Sequence, residues 1–356
     1  MTPFISIGRF NKHSCCRIWR RKQTMQSIVL KHKKAVKASL DAIVDAGSGN
    51  LGKALENAYH PDAHWRGSHP LNEMDGIAAI EKTVWQPLLR AFPDLERRDS
   101  IVIGGSYQDR DYVAMIGHYA GTFARNWIDI PATGGLIYLR YGEVHQVKES
   151  KIIESTVLLD VLDVLRQAGI RPLPSSPGSE EMWPGPISSD GCLLVGTDEK
   201  ESATSIKLCI AMQQTLDNTI VEREDLLNMA QKEYWHPQMM WYGPCGIGTT
   251  RGLPGFVDFH QRPFRIAFPK RFFAGKHYLE IGDGKYAATA GWPSVVATHV
   301  GDGWLGLPAT GRKINMRVMD FYLCDEGLVR ENWVPIDIID ILLQMGVDIM
   351  EQVRQR

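Results

Sequence analysis

The chain says nearly the same thing twice at a fixed stagger, which no single compact domain requires. His60-Pro61 returns as His236-Pro237, Trp65 as Trp241, Gly67 as Gly243, Gly76 as Gly252, Pro87 as Pro263 and Phe92-Pro93 as Phe268-Pro269, each pair 176 residues apart. Further on, Pro131-Ala132-Thr133-Gly134 returns as Pro308-Ala309-Thr310-Gly311 and the stretch 154–169 returns as 331–346, now 177 apart, so one residue is inserted between the blocks. Solenoid repeats have periods of roughly 20–50 residues. A period this long means two whole domains. At 356 residues the chain also exceeds what one hydrophobic core usually serves.

Charge excludes some partners. With 40 basic against 41 acidic residues the net charge is −1, so no global field attracts nucleic acid or an anionic membrane, and neither is expected as a partner. Nothing approaches the roughly 18 apolar residues of a membrane span. The six cysteines (Cys15, Cys16, Cys192, Cys209, Cys245, Cys324) show no C-x-x-C spacing and differ in placement between the repeats, which fits free thiols in a reducing compartment.

The first residues stand apart. Arg9, Lys12, Arg17, Arg20, Arg21 and Lys22 precede any acidic residue, the first being Asp41. That is the composition of an organellar transit peptide. The alternative is that Met25 is the true start. The expected organisation is a basic, irregular extension over 1–26, a first domain over 27–170, a Pro/Ser/Gly-rich linker over 171–200 and a second domain over 201–356. The expected compartment is the cytoplasm, or the mitochondrion if the basic segment is genuine and the source eukaryotic.

Within each half, apolar spacing predicts an amphipathic helix at 27–46 and its counterpart at 215–233, followed by short helices near 76–91 and 255–267. The texture then turns to β at 101–103, 112–121, 136–147 and 152–158, matched by 277–280, 286–299, 313–324 and 328–334. Each half closes with a helix, 160–168 and 337–352. Helices first and strands afterwards argue for α+β with a mainly antiparallel sheet. Between the halves Pro172, Pro174, Pro177, Pro184 and Pro186 prevent regular structure, and this linker is expected over the surface of one half.

The run Asp325-Glu326-Gly327-Leu328-Val329-Arg330-Glu331-Asn332-Trp333-Val334-Pro335-Ile336-Asp337, then Leu342-Leu343-Gln344-Met345-Gly346, resembles the C-terminal signature of SnoaL-like polyketide cyclases. The first half carries a degraded copy: Ile153-Glu154-Ser155-Thr156 before Asp160, then Leu165-Arg166-Gln167-Ala168-Gly169. The resemblance implies two tandem cones of the nuclear transport factor two superfamily, each a curved sheet and helices around an apolar pocket. It also implies intramolecular aldol ring closure on a hydrophobic carbonyl compound, without metal or organic cofactor, one pocket aspartate being the acid/base. Asp337 and, in the first copy, Asp160 match that aspartate. Desolvation at the end of an apolar strand would raise the carboxyl pKa, whereas a helix N-terminus lowers it. A plain N-cap is the competing role.

Strand alternation nominates companions. Asp320 and Tyr322 share one face, Arg317 and Phe321 the other; the matched pairs are Glu143 and His145 against Arg140 and Val144. Asp320, Tyr322 and His145 are therefore further acid/base candidates, with cross-strand pairing on a solvated face as the alternative. An epoxide hydrolase on this fold, which uses an Asp-Arg-Asp constellation, is disfavoured because Arg317 and Asp320 point apart. Trp65, Trp241, Trp292, Trp304 and Trp333, with His118 at the position of Trp292, are candidates for lining the pocket. His60 and His64 have an i, i+4 spacing, but Pro61 intervenes and Met240 replaces His64 in the second copy, so no metal is expected. Phosphate-loop, dinucleotide and nucleophile-elbow motifs are absent from the sequence. The expected partners are a hydrophobic small molecule and the other half of the same chain, as a pseudo-dimer that could also pair with a second copy. A non-catalytic binding or assembly protein on the same fold is the alternative function.

Overall fold

In the computed structural model, the described residues are 12–47, 49–216, 219–273 and 277–355, with side chains from 27 onward. Much of the basic extension therefore lies outside the described residues; the backbone is helical from the start of the long helix Lys12–Asp45.

Two sheets dominate. The first half forms β1 (Tyr59–Gly67), β2 (Glu73–Asp75), β3 (Glu96–Tyr107), β4 (Arg110–Thr122), β5 (Leu136–Lys148) and β6 (Lys151–Leu159), in the order β2-β1-β6-β5-β4-β3. The second forms β7 (Trp235–Tyr242), β8 (Thr250–Arg251), β9 (Phe272–Phe273), β10 (His277–Asp283), β11 (Tyr286–Thr298), β12 (Lys313–Asp325) and β13 (Leu328–Trp333), in the order β10-β11-β12-β13-β7-β8, with β9 against β11. Pairing is antiparallel except that β1 runs parallel to β6 and β7 to β13. This is the α+β, nuclear transport factor two-like architecture, present twice.

The repeated words have local causes. In Trp65-Arg66-Gly67 and Trp241-Tyr242-Gly243 the indole folds back over the glycine: a Cβ on Gly67 would lie 2.2 Å from the Trp65 ring, and one on Gly243 would lie 2.2 Å from the Trp241 ring. Asp160 and Asp337 are N-caps, accepting from the Asp163 and Asp340 amides. Gln167 clasps both backbone groups of Tyr138 at 2.8 and 2.7 Å, and Gln344 those of Asn315 at 2.8 and 2.9 Å. Gly169 and Gly346 take the left-handed conformation that ends each helix, at φ 78° and 89°.

Two expectations need correcting. The helix matching the first-half entry helix lies at Glu199–Gln214, before the expected 215–233, with Asp198 as N-cap. The apolar spacing after 215 belongs instead to a short helix, Arg223–Asn228, and a 3-10 turn, Ala230–Tyr234. The linker does not lie over one half alone. Trp183 enters the core between the sheets, Ile187 N–H donates to Glu331 at 2.9 Å, and Cys192 bridges to Val102. Each of those residues meets a different neighbour, so the linker straps both halves.

The sheets pack back to back. Ile101, Ile103, Ala114 and Ile116 of one meet Leu279, Ile281, Ala288 and Phe321 of the other in a shared core. At its edge Lys33 Nζ meets Asp283 Oδ2 at 2.6 Å, both side chains almost fully buried (2 and 3% exposed). Asp283 also accepts from the Gly104 N–H at 2.9 Å. Removing one member of a buried pair strands the other charge, at a cost of roughly 3–5 kcal/mol. Lys33→Ala is therefore expected to lower unfolding stability by about 3 kcal/mol, read as a drop in urea midpoint against wild type.

Candidate active site

The second half encloses a cavity of about 160 Å³ between its sheet and its helices. β12 alternates across it: Met316, Val318, Asp320 and Tyr322 face the cavity, while Met319, Phe321 and Leu323 face the other sheet. The opposite wall is aromatic. Trp241 stacks on His260 with ring centres 4.0 Å apart, and Phe264 and Phe268 meet Trp304 edge-on. Burial, with the Arg265 and Arg271 charges adding to it, pushes His260 down to about 3, so it is a neutral imidazole.

Asp320 is the only carboxylate among the described residues lining this cavity. Burial raises its pKa to about 6, which His277, Asn332 and Tyr322 oppose. Asn332 Nδ2 stands 3.5 Å from Asp320 Oδ1 and donates to the Phe321 carbonyl at 3.1 Å. Gln213 Nε2, reaching down from the helix Glu199–Gln214, donates to the Tyr322 hydroxyl at 2.8 Å and to Thr289 Oγ1 at 3.1 Å. Tyr322 accepts there, so its own proton is left to donate to the neighbouring Asp320 or to a ligand in the cavity, and burial beside Asp320 holds its pKa well above the ordinary value.

The structure does not bring Asp337 or Asp160 to this cavity. Asp337 lies at the boundary between halves, where Oδ2 accepts from the His69 N–H at 2.9 Å and from Arg317 at 3.0 Å. Asp160 mirrors it, accepting from the Cys245 N–H at 2.9 Å and facing Arg140 at 3.4 Å. Their pKa values are raised, to about 7 and about 6, mainly by burial and next by the neighbouring Asp340 in one case, while Arg140 opposes in the other. These shifts alone do not separate an interface carboxylate from a cavity one; the open space beside it does.

Of the aromatic candidates, Trp241 and Trp304 line the cavity. Trp333 lies in the core between the sheets, its indole donating to the Pro184 carbonyl at 2.9 Å. Trp292 sits between halves, with Arg317 over its ring at 4.6 Å and its N–H 3.1 Å from Glu73. His118, at the matched position, stacks on Tyr138 at 3.8 Å. Trp292, Trp333 and His118 leave the pocket for one reason: strand alternation turns them to the back of the sheet. Reasoning from sequence missed His260, Gln213, His277 and Asn332. Asn332 was legible as a position two residues from Val334 on the signature strand; Gln213 was hidden by the misplaced helix.

In the first half the matched space is filled. Ladder register equates Glu143 with Asp320, His145 with Tyr322, Ser155 with Asn332 and Asp99 with His277. Arg97, 1% exposed, enters here and binds Glu143 at 2.7 Å and Asp99 at 2.8 Å, with Tyr141 beneath its guanidinium at 4.5 Å. His145 is tied to Ser155 at 2.8 Å and to Glu143 at 3.3 Å. Burial would raise Glu143, but Arg97 and His145 outweigh it and hold it at about 2. Trp65 packs in the adjoining core.

The sequence profile of the SnoaL-like polyketide cyclase family matches residues 38–168 and again 212–345, so the chain belongs to that family, with two copies in tandem. Among solved structures it is similar to a protein described as a SnoaL-like polyketide cyclase from Jannaschia sp. CCS1 (15% identity, 39% of this chain and 94% of that one, TM-score 0.33). It is also similar to IdmH of Streptomyces antibioticus, a candidate polyketide cyclase (20%, 38% and 98%, 0.32), and to AclR of Streptomyces galilaeus, a candidate hydroxylase (20%, 40% and 99%, 0.33). No curated protein matches by sequence. No described helix is long and apolar enough to cross a membrane.

Two outcomes follow from the contrast between the halves. Arg97→Ala removes the guanidinium that Glu143 and Asp99 share, leaving Glu143 to His145 and Tyr119 and Asp99 to Lys37 and Tyr141, and is expected to destabilise by about 3 kcal/mol in urea unfolding. Asp320 behaves in the opposite way. Its folded pKa, about 6, lies above that of an unfolded aspartate. Its contribution to stability is therefore fully present below the unfolded value and lost as pH rises through about 6. Asp320→Asn is expected to gain about 3 kcal/mol over wild type at pH 8 and almost nothing at pH 3.5.

Proposed function

We propose that the second half is an acid/base catalyst acting on a hydrophobic carbonyl compound, with Asp320 as the base and the first half as its scaffold. One observation carries this reading: a desolvated carboxylate, without a salt bridge to any described residue, faces an aromatic cavity large enough for a ligand. A base with pKa near 6 is ionised at neutral pH yet still basic enough to take a proton. Asp320 removes a proton from the carbon beside a carbonyl, and the Tyr322 hydroxyl donates to the oxygen where the enolate charge collects. For ring closure, the enolate carbon bonds to a second carbonyl carbon in the same molecule and the proton from Asp320 passes to the new alkoxide. One C–C and one O–H bond form, one C–H bond and the π bond of the attacked carbonyl break, and the product is an isomer. Trp241 and Trp304 supply flat apolar walls to hold such a substrate.

The test uses 2-tetralone, an aromatic ketone with acidic C–H bonds, in deuterated buffer, with label uptake read by mass spectrometry. Wild type is expected to speed uptake, and the rate should rise with pH through about 6 to a plateau. Asp320→Asn should lower it by about 10²–10⁴, while quenching of tryptophan fluorescence by the ketone persists. Asp337→Asn and Asp160→Asn should retain uptake. Equal rates in wild type and Asp320→Asn would sink the assignment. Binding without uptake in wild type would favour a binding module.

A further inference from the structure

A second, open cavity of about 540 Å³ lies at the boundary between the halves, walled by Arg66 and Tyr107 of the first and by Tyr278, Glu280 and Trp292 of the second. His277 lines both this groove and the aromatic cavity. Its placement follows from the strand register. β10 is the edge strand, and on the ladder His277 is opposite Gly291, which in turn is opposite Val318. Gly291 has no side chain, and Ser294, which lines the aromatic cavity, places its Oγ 2.5 Å from where a Cβ on Gly291 would stand. An irregularity between His277 and Leu279 shifts the alternation, so His277 and Glu280, three residues apart, come to one face. Glu280 is in the row of Thr289 and Asp320. His277 Nδ1 meets Glu280 Oε1 at 3.2 Å, and both side chains reach solvent (24 and 31% exposed).

We propose that His277 is the proton port of the site, passing the proton held by Asp320 to Glu280 and the open groove. This rests on the reading of Asp320 as a base. In ring closure the new alkoxide takes the proton. Where no second carbonyl is present, as in simple exchange at the carbon beside a ketone, a carboxylate in a largely apolar cavity returns its proton to the carbon it came from unless another group carries it out. Among the groups facing it, Tyr322 keeps its proton and His260 stays neutral near pH 7, while the guanidiniums of Arg265 and Arg271 do not release theirs. A histidine is the side chain suited to relaying a proton near neutrality. The imidazole accepts a proton on one nitrogen and gives one up from Nδ1 to Glu280, which Tyr107 of the first half also touches, and Glu280 releases it to water. The first half shows the alternative at the same position. Asp99, matched to His277, is 1% exposed and locked by Arg97, Lys37 and Tyr141. That carboxylate has no exit.

Deuterium uptake by 2-tetralone reads the port directly, because only a proton that reaches solvent is replaced. His277→Gln is expected to cut uptake about tenfold with ketone binding and thermal midpoint unchanged, and added imidazole should restore part of it. Asp320→Asn should lose uptake with no imidazole rescue. Wild-type uptake in His277→Gln, or a loss that imidazole does not repair, would overturn the port while leaving the base intact; undiminished uptake in Asp320→Asn would overturn the base itself. The free protein offers a second reading without ligand. In carboxyl-13C titration of aspartate-labelled protein, the Asp320 midpoint should move up in His277→Gln. An unmoved midpoint would mean that the two groups do not communicate.

Discussion

The packing of two sheets back to back is the constraint on which the rest depends. Each sheet is apolar on both faces, one toward its own helices and one toward the other sheet, so neither half could expose its back to water without a large apolar penalty. The contact is made specific at its rim by a reciprocal exchange. Asp337 takes the amide hydrogen of His69 from the first half, and Asp160 takes that of Cys245 from the second. Each also caps its own helix and faces its own arginine. A carboxylate placed this way has an architectural reason to be kept in both copies while the residues around the cone interiors diverge.

That divergence follows from duplication within one chain. Once two cones are joined, only one has to remain open, and the other can trade its cavity for stability. Arg97, Asp99 and Glu143 carry out the trade: a guanidinium stacked on tyrosine and bound to two carboxylates fills the space that in the second half stays empty beside Asp320. Cavities cost free energy in proportion to their volume, and a lone buried carboxylate costs more. The second half bears both costs where the first bears neither. Costs of this kind, concentrated in one place, are what a functional site imposes on a fold, and they support the acid/base reading of Asp320 proposed above.

Much of the fold was legible because its signals are local. The 176-residue stagger gave two domains, the strand texture gave the sheets, and the glycine of the W-x-G word is explained by an indole lying on it. Alternation along β12 correctly separated Asp320 and Tyr322 from Phe321. What could not be read was which side of each sheet faces its own helices and which faces the other half. Trp292 and Trp333 carry the same aromatic signal as Trp241 and Trp304, yet they serve the interface. The linker was misjudged for a related reason: its prolines exclude regular structure but say nothing about Trp183 being drawn into an apolar seam.

The groove at the seam ties the two themes together. Arg66 of the first half lies over the Tyr278 ring at 4.6 Å and is anchored to its own sheet through Glu154 at 2.8 Å. Glu154 is the signature glutamate of the first copy; its counterpart Glu331 instead accepts from the Tyr242 hydroxyl at 2.6 Å. At this one matched position the glutamate thus meets a cation on the side that borders the second cavity and a hydroxyl on the other. A cation over an aromatic ring fixes the edge strand against the first half without covering it. The edge that carries His277 and Glu280 stays both rigid and open to water. In this way the first half, its own cone closed, still shapes the environment of the open one.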